Sequence, residues 1–496
     1  MFSTLLLILC SCFQSLQQAM VGSDITVALQ QEIDKAIAEK RTKVTLPDKA
    51  FKVSDTIHLG RGDTFVTISL ESEGMGLPYI TRGGATLEAT FTDKPIINVQ
   101  GGRGVHIRGI QFVGPSSAIQ TQLPTPSQDE ARYDTYFTPA KNRQFCGVSI
   151  DAYSGQAPIE MPIYPGVYSK RHTSMVKIED CQFRFLGCGM ITKPSGGQGA
   201  DNNGDYLIVE NCNFQFCKYG ASINGSQTRQ NTFRDCKFAD CYAGVGMGQH
   251  GVGLCGNVIL TGGAFDRIGF GLIGKKVGYA SGITIENMCG EQICTVLDVV
   301  DGHGVCQVTI DKVRFATDND TLYNFKPYHI RSEQCVTRIS NSIFRTWGTS
   351  NRPMFTIVGS TWMMLDGNTV RRVNTDPKNS PLTLVFPTHP STEIAEGPNY
   401  AFKYKSERLE RQTRIIGAGR QTSPRTFRGV KTLECKVDEV YAIGFLSEVN
   451  PLVFKVIEVT PTELVVEILN CGVEVKDSAA TLSKLQRWEN FVWRLP

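Results

Sequence analysis

No Cys-x2-Cys pair and no grouping of Cys with His at ligand spacing occurs among the 16 cysteines and 7 histidines of this 496-residue chain, which sets aside a zinc site. An excess of one charge is also lacking. The 51 Lys and Arg stand against 48 Asp and Glu, and a net +3 leaves no electrostatic footprint for nucleic acid. Past the first twenty residues no apolar run approaches membrane-spanning length, so no membrane partner is expected. Nor is there a low-complexity tract. With 41% hydrophobic and 20% charged residues the composition is globular, and 48 glycines in such a chain predict many tight turns.

The start, "MFSTLLLILCSCFQSLQQAM", has an apolar run from Phe2 to Phe13 and a small residue, Ala19, where a signal peptidase could cut, but no basic residues ahead of the run. Two readings stay open for residues 1–22: a secretory signal, or an extension ahead of a true start at Met20. The cysteines bear on the choice. Cys212 and Cys217, Cys236 and Cys241, and Cys289 and Cys294 recur as C-x4-C inside a repeated phrase, which predicts equivalent buried positions in stacked units rather than disulfides. Reduced, buried thiols favour folding in a reducing cytosol.

The phrase itself is "VKIEDCQF" at 176–183, rewritten as "LIVENCNF" at 207–214 and "NTFRDCKF" at 231–238. Aligned on its final residue it continues as Phe112, Phe183, Phe214, Phe238, Phe265, Gly290, Phe315, Phe344 and Val370. From Phe183 onward the interval is 24 to 31 residues; the longer gap after Phe112 holds an insertion at about 114–175. Three residues before each anchor stand Gly109, Asp180, Asn211, Asp235, Gly262, Asn287, Lys312, Asn341 and Gly367. Eight of these nine are Gly, Asn or Asp, the residues that accept a left-handed backbone at least cost. Short β-branched stretches such as "VKI", "LIV" and "VTI" precede them and read as strands.

A strand, a left-handed bend, an inward aromatic and another short strand predict one coil of an all-β, right-handed, single-stranded parallel β-helix, in which stacked coils bury what one coil cannot. The leucine-rich-repeat frame L-x-x-L-x-L is missing. Residues 23–40 predict an N-terminal capping helix, with Ser23 or Asp24 as N-cap and an apolar face through Val27, Ile33 and Ile37. The β-helix is expected over 23–374, a Pro- and charge-rich linker over 375–410, and a small β-rich C-terminal module over 411–496.

The helix followed by "VTLPDKAFKVSDTI", with "GVSIDAYSG", "GSQTRQN" and "ITIENMCGEQ" further on, resembles the pectate-lyase-like right-handed parallel β-helix superfamily, in particular its bacteriophage-tailspike and polysaccharide-depolymerase branch. The resemblance covers roughly 23–375. It implies a polysaccharide ligand along the flank, a homotrimer, other virion tail proteins as partners, and a place in a virion tail or outside the cell. It does not fix the reaction, because members include lyases, endo-glycosidases, epimerases and proteins without known catalysis.

A β-helix flank presents rows of outward side chains, and its loops supply groove walls. The insertion is rich in Tyr, Arg and Lys, so Tyr133, Tyr136, Arg143 and Tyr153 are candidates to stack on sugar rings or bond to their hydroxyls, or else simply to cover the adjacent coils. Glycosidic hydrolysis needs two carboxyl groups. Asp201 and Asp205 share a Gly-rich loop and rank first, Glu291 next, with Asp151, Asp298 and Asp301 in or near the resembling phrases. A turn former or solvated edge charge is the competing account of each. Arg229 and His250, with Lys275 and Lys276, could contact substrate or serve a lyase, which removes a proton beside a uronate carboxylate.

Three motif matches are set aside. "GMGQHG" leads into no helix, "GFGLIGKK" offers Lys276 where a phosphate loop needs Ser or Thr, and "RGD" at 61–63 reads as a polar turn. No metal or cofactor is implied. The leading expectation is a tailspike-like endo-glycosidase; the alternatives are a secreted bacterial polysaccharide lyase and a non-catalytic glycan-binding or structural virion protein.

Overall fold

A computed structural model describes residues 19–60, 65–74, 84–115, 125–126, 128–131, 133, 145–150, 159–161, 164–169, 173–192, 206–224, 228–248, 256–275, 282–300, 306–317, 329–347, 355–358, 362–373, 385–387, 393–396, 407–408, 416–423, 426–431, 437–438, 440–445, 448–470 and 491–495. The chain coils as the expected right-handed parallel β-helix with three faces. Face one is a 12-stranded parallel sheet from Lys43–Leu46 to Glu393–Glu396. Faces two and three begin at Ala50–Val53 and Ile57–Leu59 and together form a 20-stranded sheet. They join because Ala264–Lys275 and Cys289–Val300 run through the corner unbroken, pairing with one column at their starts and the other at their ends.

The repeat read from the sequence is the register observed. Phe112, Phe183, Phe214, Phe238, Phe265, Gly290, Phe315, Phe344 and Val370 are successive partners on face two. All nine residues of the bend column have positive φ, from 51° at Asn341 to 70° at Gly109. A second bend column lies five residues further on, at Phe185, Phe216, Asp240, Arg267 and Gln292, with φ between 49° and 58°.

Inside, the phenyl rings stack. Phe183 and Phe214 are 4.7 Å apart and 4° from parallel, and Phe214 and Phe238 are 4.9 Å apart at 7°. Glycines on face three make room for them: a Cβ on Gly220 would stand 2.5 Å from Cδ1 of Phe238 and 2.6 Å from the carbonyl oxygen of Gly244. These strand glycines were expected as turns; they serve close packing. The order of the stack fails from Phe265, which is tilted 44° from Phe238 beside the gap left by Gly290. Phe265 and Phe315 lean toward each other across that gap, to 5.8 Å and a 37° tilt.

Ten of the eleven described cysteines are buried and none is in a disulfide. Cys212 and Cys236 bond backward to the coil beneath, to the carbonyls of Ile178 and Val209. The third C-x4-C pair is not equivalent to the other two. Cys289 partners Ala264 and Arg314 rather than following the bend directly as Cys212 and Cys236 do, and a one-residue shift in a strand turns a side chain to the other face. It is exposed.

The helix Thr26–Ala38 caps the first coil through Leu29, Ile33 and Ala36. Val27, expected on that face, is 69% exposed. Asp24 accepts the backbone N–H of Thr26 at 2.9 Å, and the Gln30 side chain bonds both the N–H and the carbonyl of His58, occupying an otherwise open strand edge. At the other end, Val385–Pro387 and Glu393–Glu396 continue the coil pairing within the span read as a linker. Seven strands from Glu407–Arg408 to Phe491–Leu495 form a separate antiparallel sheet.

Candidate functional site: a groove on face two

Strand alternation decides what face two shows to solvent. If the anchor column points inward, the residues just before and just after each anchor point outward. The column before the anchors reads Gln111, Gln182, Asn213, Lys237, Ala264, Cys289, Arg314, Ile343. The column after them runs Arg184, Gln215, Ala239, Asp266, Glu291 and, two coils on, Arg345. Small residues at Ala264, Gly290 and Ala316 leave a hollow of about 440 Å³ among these side chains, bordered by Lys237, Asp266, Glu291, Arg314 and Arg345.

Asp266 and Glu291 are register partners on neighbouring coils, so their Cα atoms lie about one strand spacing, ~4.8 Å, apart. Their surroundings differ. Asp266 meets Lys237 Nζ at 3.1 Å and Arg267 Nε at 3.8 Å. Glu291 is exposed and forms no ion pair with a described residue. Behind Asp266, Arg267 donates from Nη2 to Asp240 at 2.8 Å. The Asp240 side chain is buried at the second bend, and burial pushes its carboxyl above the ordinary range against the pull of the Arg267 guanidinium. Arg314 and Arg345, exposed on the other side of Glu291, form no ion pair with a described residue. The groove thus runs from a neutralised Lys–Asp pair, past one open carboxyl, to two open guanidinium groups.

Of the residues proposed from sequence, Glu291 lines this groove. Asp151, Asp201, Asp205, Tyr136, Arg143, Tyr153, His250, Asp301 and Lys276 lie outside the described residues. Arg229 is exposed, and its carbonyl accepts the N–H of Tyr206 at 3.0 Å, away from face two. Tyr133 is fully buried, with its ring edge-on to Tyr242 at 5.7 Å, so it is not placed to stack on a sugar. It belongs to a segment that covers face three. Gln128 bonds Thr295 there, and Glu130 pairs with Lys218 at 2.8 Å and accepts the Tyr219 hydroxyl at 3.3 Å. Asp298 is buried beside Arg331, 3.8 Å away, and their strands are in register.

Asp266, Lys237, Arg314 and Arg345 were not singled out from sequence. The signal was present: each is the immediate neighbour of an anchor already assigned. Among the described residues no group of three or more His, Cys, Asp or Glu is placed to hold a metal ion, and no described helix is long and apolar enough to cross a membrane.

No family model and no curated protein sequence matches the chain. Solved structures with a similar course include the A-module of an Azotobacter vinelandii mannuronan C-5 epimerase, at 12% identity and a TM-score of 0.42, covering 77% of this chain and 97% of that one. The N-terminal fragment of gene product 12 of bacteriophage Phi29 is 13% identical, with a TM-score of 0.41 over 82% of this chain and 74% of that one. An alpha-1,3-glucanase catalytic unit from Streptomyces thermodiastaticus is 8% identical, with a TM-score of 0.39 over 78% of this chain and 69% of that one. Likeness at this level carries no argument about what this chain does.

Proposed function

We propose that face two binds a polysaccharide chain along the rod axis and cleaves it by endo-glycosidic hydrolysis. One observation carries the reading: two acidic residues, Asp266 and Glu291, are register partners on neighbouring coils and line one open groove, so a pair of carboxyl groups of the kind glycosidic hydrolysis needs is brought together there. Asp266, oriented by Lys237 and Arg267, is placed for the role that attacks the anomeric carbon. Glu291, exposed on the next coil and open to the groove, is placed for the second role, proton transfer with the leaving oxygen and then with water. Arg267, anchored by Asp240, holds the orientation of Asp266. A flat row of coils is well shaped for a linear polymer, whose units contact successive rungs.

A lyase is the second reading. It is favoured by Arg314 and Arg345, which could neutralise a uronate while a neighbouring base removes the adjacent proton. The assembly implied by the tailspike resemblance, a homotrimer in a virion tail, is part of the leading reading, and light scattering of the purified chain tests it. The chemistry is tested by incubating the protein with capsular and cell-wall glycans while following chain length and ultraviolet absorbance. Shortening without new absorbance supports hydrolysis; shortening with the absorbance of an unsaturated product supports the lyase. Binding without shortening removes catalysis and leaves an adhesive virion or surface protein.

A further inference from the structure

We infer that the groove selects a polysaccharide whose repeating unit carries an anionic group, and that this group sits over Arg314 and Arg345, on the C-terminal side of the carboxyl pair. The inference rests on the glycan-binding reading above and adds a substrate class and a polarity to it.

The argument is one of unequal charge. The other cations close to the carboxyl pair are engaged: Lys237 with Asp266 at 3.1 Å, and Arg267 with Asp240 at 2.8 Å. Arg314 and Arg345 are exposed, border the same hollow, and meet no carboxylate of a described residue within ion-pair distance. They stand on consecutive coils, Arg314 beside Phe315 and Arg345 beside its partner Phe344, and Arg371 follows Arg345 in register on the next strand. Neighbouring guanidinium groups repel, and a fork of N–H donors is matched by a carboxylate or sulfate bridging between them. On the N-terminal coils the same columns carry Gln182 and Asn213, both buried, and Arg184 and Gln215, the latter donating to Asp240 at 3.4 Å. With coils about 4.8 Å apart, the Arg314 and Arg345 coils lie about 5 and 10 Å beyond that of Glu291, one or two sugar units from the bond to be cut.

The test uses the full chain and four probes: a polyuronate, the same polymer with its carboxyls reduced to alcohols, a sulfated polysaccharide, and single-stranded DNA as a polyanion without the sugar pattern. Binding is measured by calorimetry for wild type and for the double variant Arg314→Gln/Arg345→Gln. Either the polyuronate or the sulfated polymer is expected to bind, weakening as salt rises, and the double variant to lose at least about tenfold for it. Which of the two binds identifies the anion as carboxylate or sulfate. In a second measurement, free of substitutions, the bound polymer should slow alkylation of Cys289, an exposed thiol in the same groove, as read by peptide mapping. Equal binding of the reduced polymer, equal binding of DNA, or unchanged affinity in the double variant overturns the inference while leaving glycan binding in place. Failure of every polysaccharide to bind overturns the function proposed above, and the inference with it.

Discussion

Replacing Gly220 with alanine adds one methyl group where the fold has left no space. The new Cβ would stand 2.5 Å from the Phe238 ring and 2.6 Å from the Gly244 carbonyl oxygen on the next coil. Overpacking of a core typically costs about 1–3 kcal/mol, and because one opposing atom is backbone in a paired strand, the expected loss is near the top of that range, ~3 kcal/mol. Phe238→Leu should cost about 2 kcal/mol by itself, from ring contacts with Phe214 at 4.9 Å and Phe265 at 5.8 Å that are worth about 0.5–1.5 kcal/mol each. If the ring is part of the clash, the double variant Gly220→Ala/Phe238→Leu will be less damaged than the sum of the two by about 1 kcal/mol; the carbonyl remains, so rescue is incomplete. Urea unfolding followed by circular dichroism measures all three. A Gly220→Ala protein within about 0.5 kcal/mol of wild type would refute the claim that this glycine column exists to admit the phenyl stack.

Three further outcomes are expected. Lys312 is the one residue of the first bend column that is not Gly, Asn or Asp, with φ of 53°, so Lys312→Asn should match or exceed wild-type stability, whereas Lys312→Val should fall about 1–2 kcal/mol below the Asn variant; equal stability of the two in urea would contradict the bend assignment. Face one carries a ladder of ion pairs, Lys43 to Glu71 at 2.5 Å and Lys177 to Glu210 at 3.1 Å among them, and these lysines hold the Glu71 and Glu210 carboxyls below the ordinary value of 4.5. A depressed folded-state pKa gives stability that is present above 4.5 and lost as pH falls through the lowered value, so Tm should drop on acidification from neutral toward about pH 3, less steeply in high salt; a flat profile would remove the ladder's role. If the chain hydrolyses a glycan, Glu291→Gln and Asp266→Asn should each reduce cleavage by about a hundredfold or more while polymer binding persists, and retained turnover in either variant would displace the carboxyl pair as the catalytic centre.

Much of the molecule was legible because a β-helix repeats its chemistry in the sequence. Asn211, Asp235 and Asn341 announce a left-handed bend by residue type, and Phe183, Phe214 and Phe238 announce the inward column by recurrence. The second bend column was hidden, since Phe185, Phe216, Arg267 and Gln292 are not residues that prefer positive φ; neighbouring coils impose it. The site was half hidden for a different reason. Asp201 and Asp205 stand in a Gly-rich phrase and lie outside the described residues, whereas Asp266 and Arg314 look like ordinary strand residues until the register sets them beside Glu291.

The amino-acid order alone determined the period, the inward aromatics and the first bend, because these are local choices of backbone and side chain repeated every coil. Tertiary structure alone decided which outward residues meet, since residues 24 to 31 apart become neighbours only when coils stack at the strand spacing. It also sent Tyr133 to the interior and Cys289 to the surface, two outcomes that depend on what lies across from a residue rather than on the residue itself.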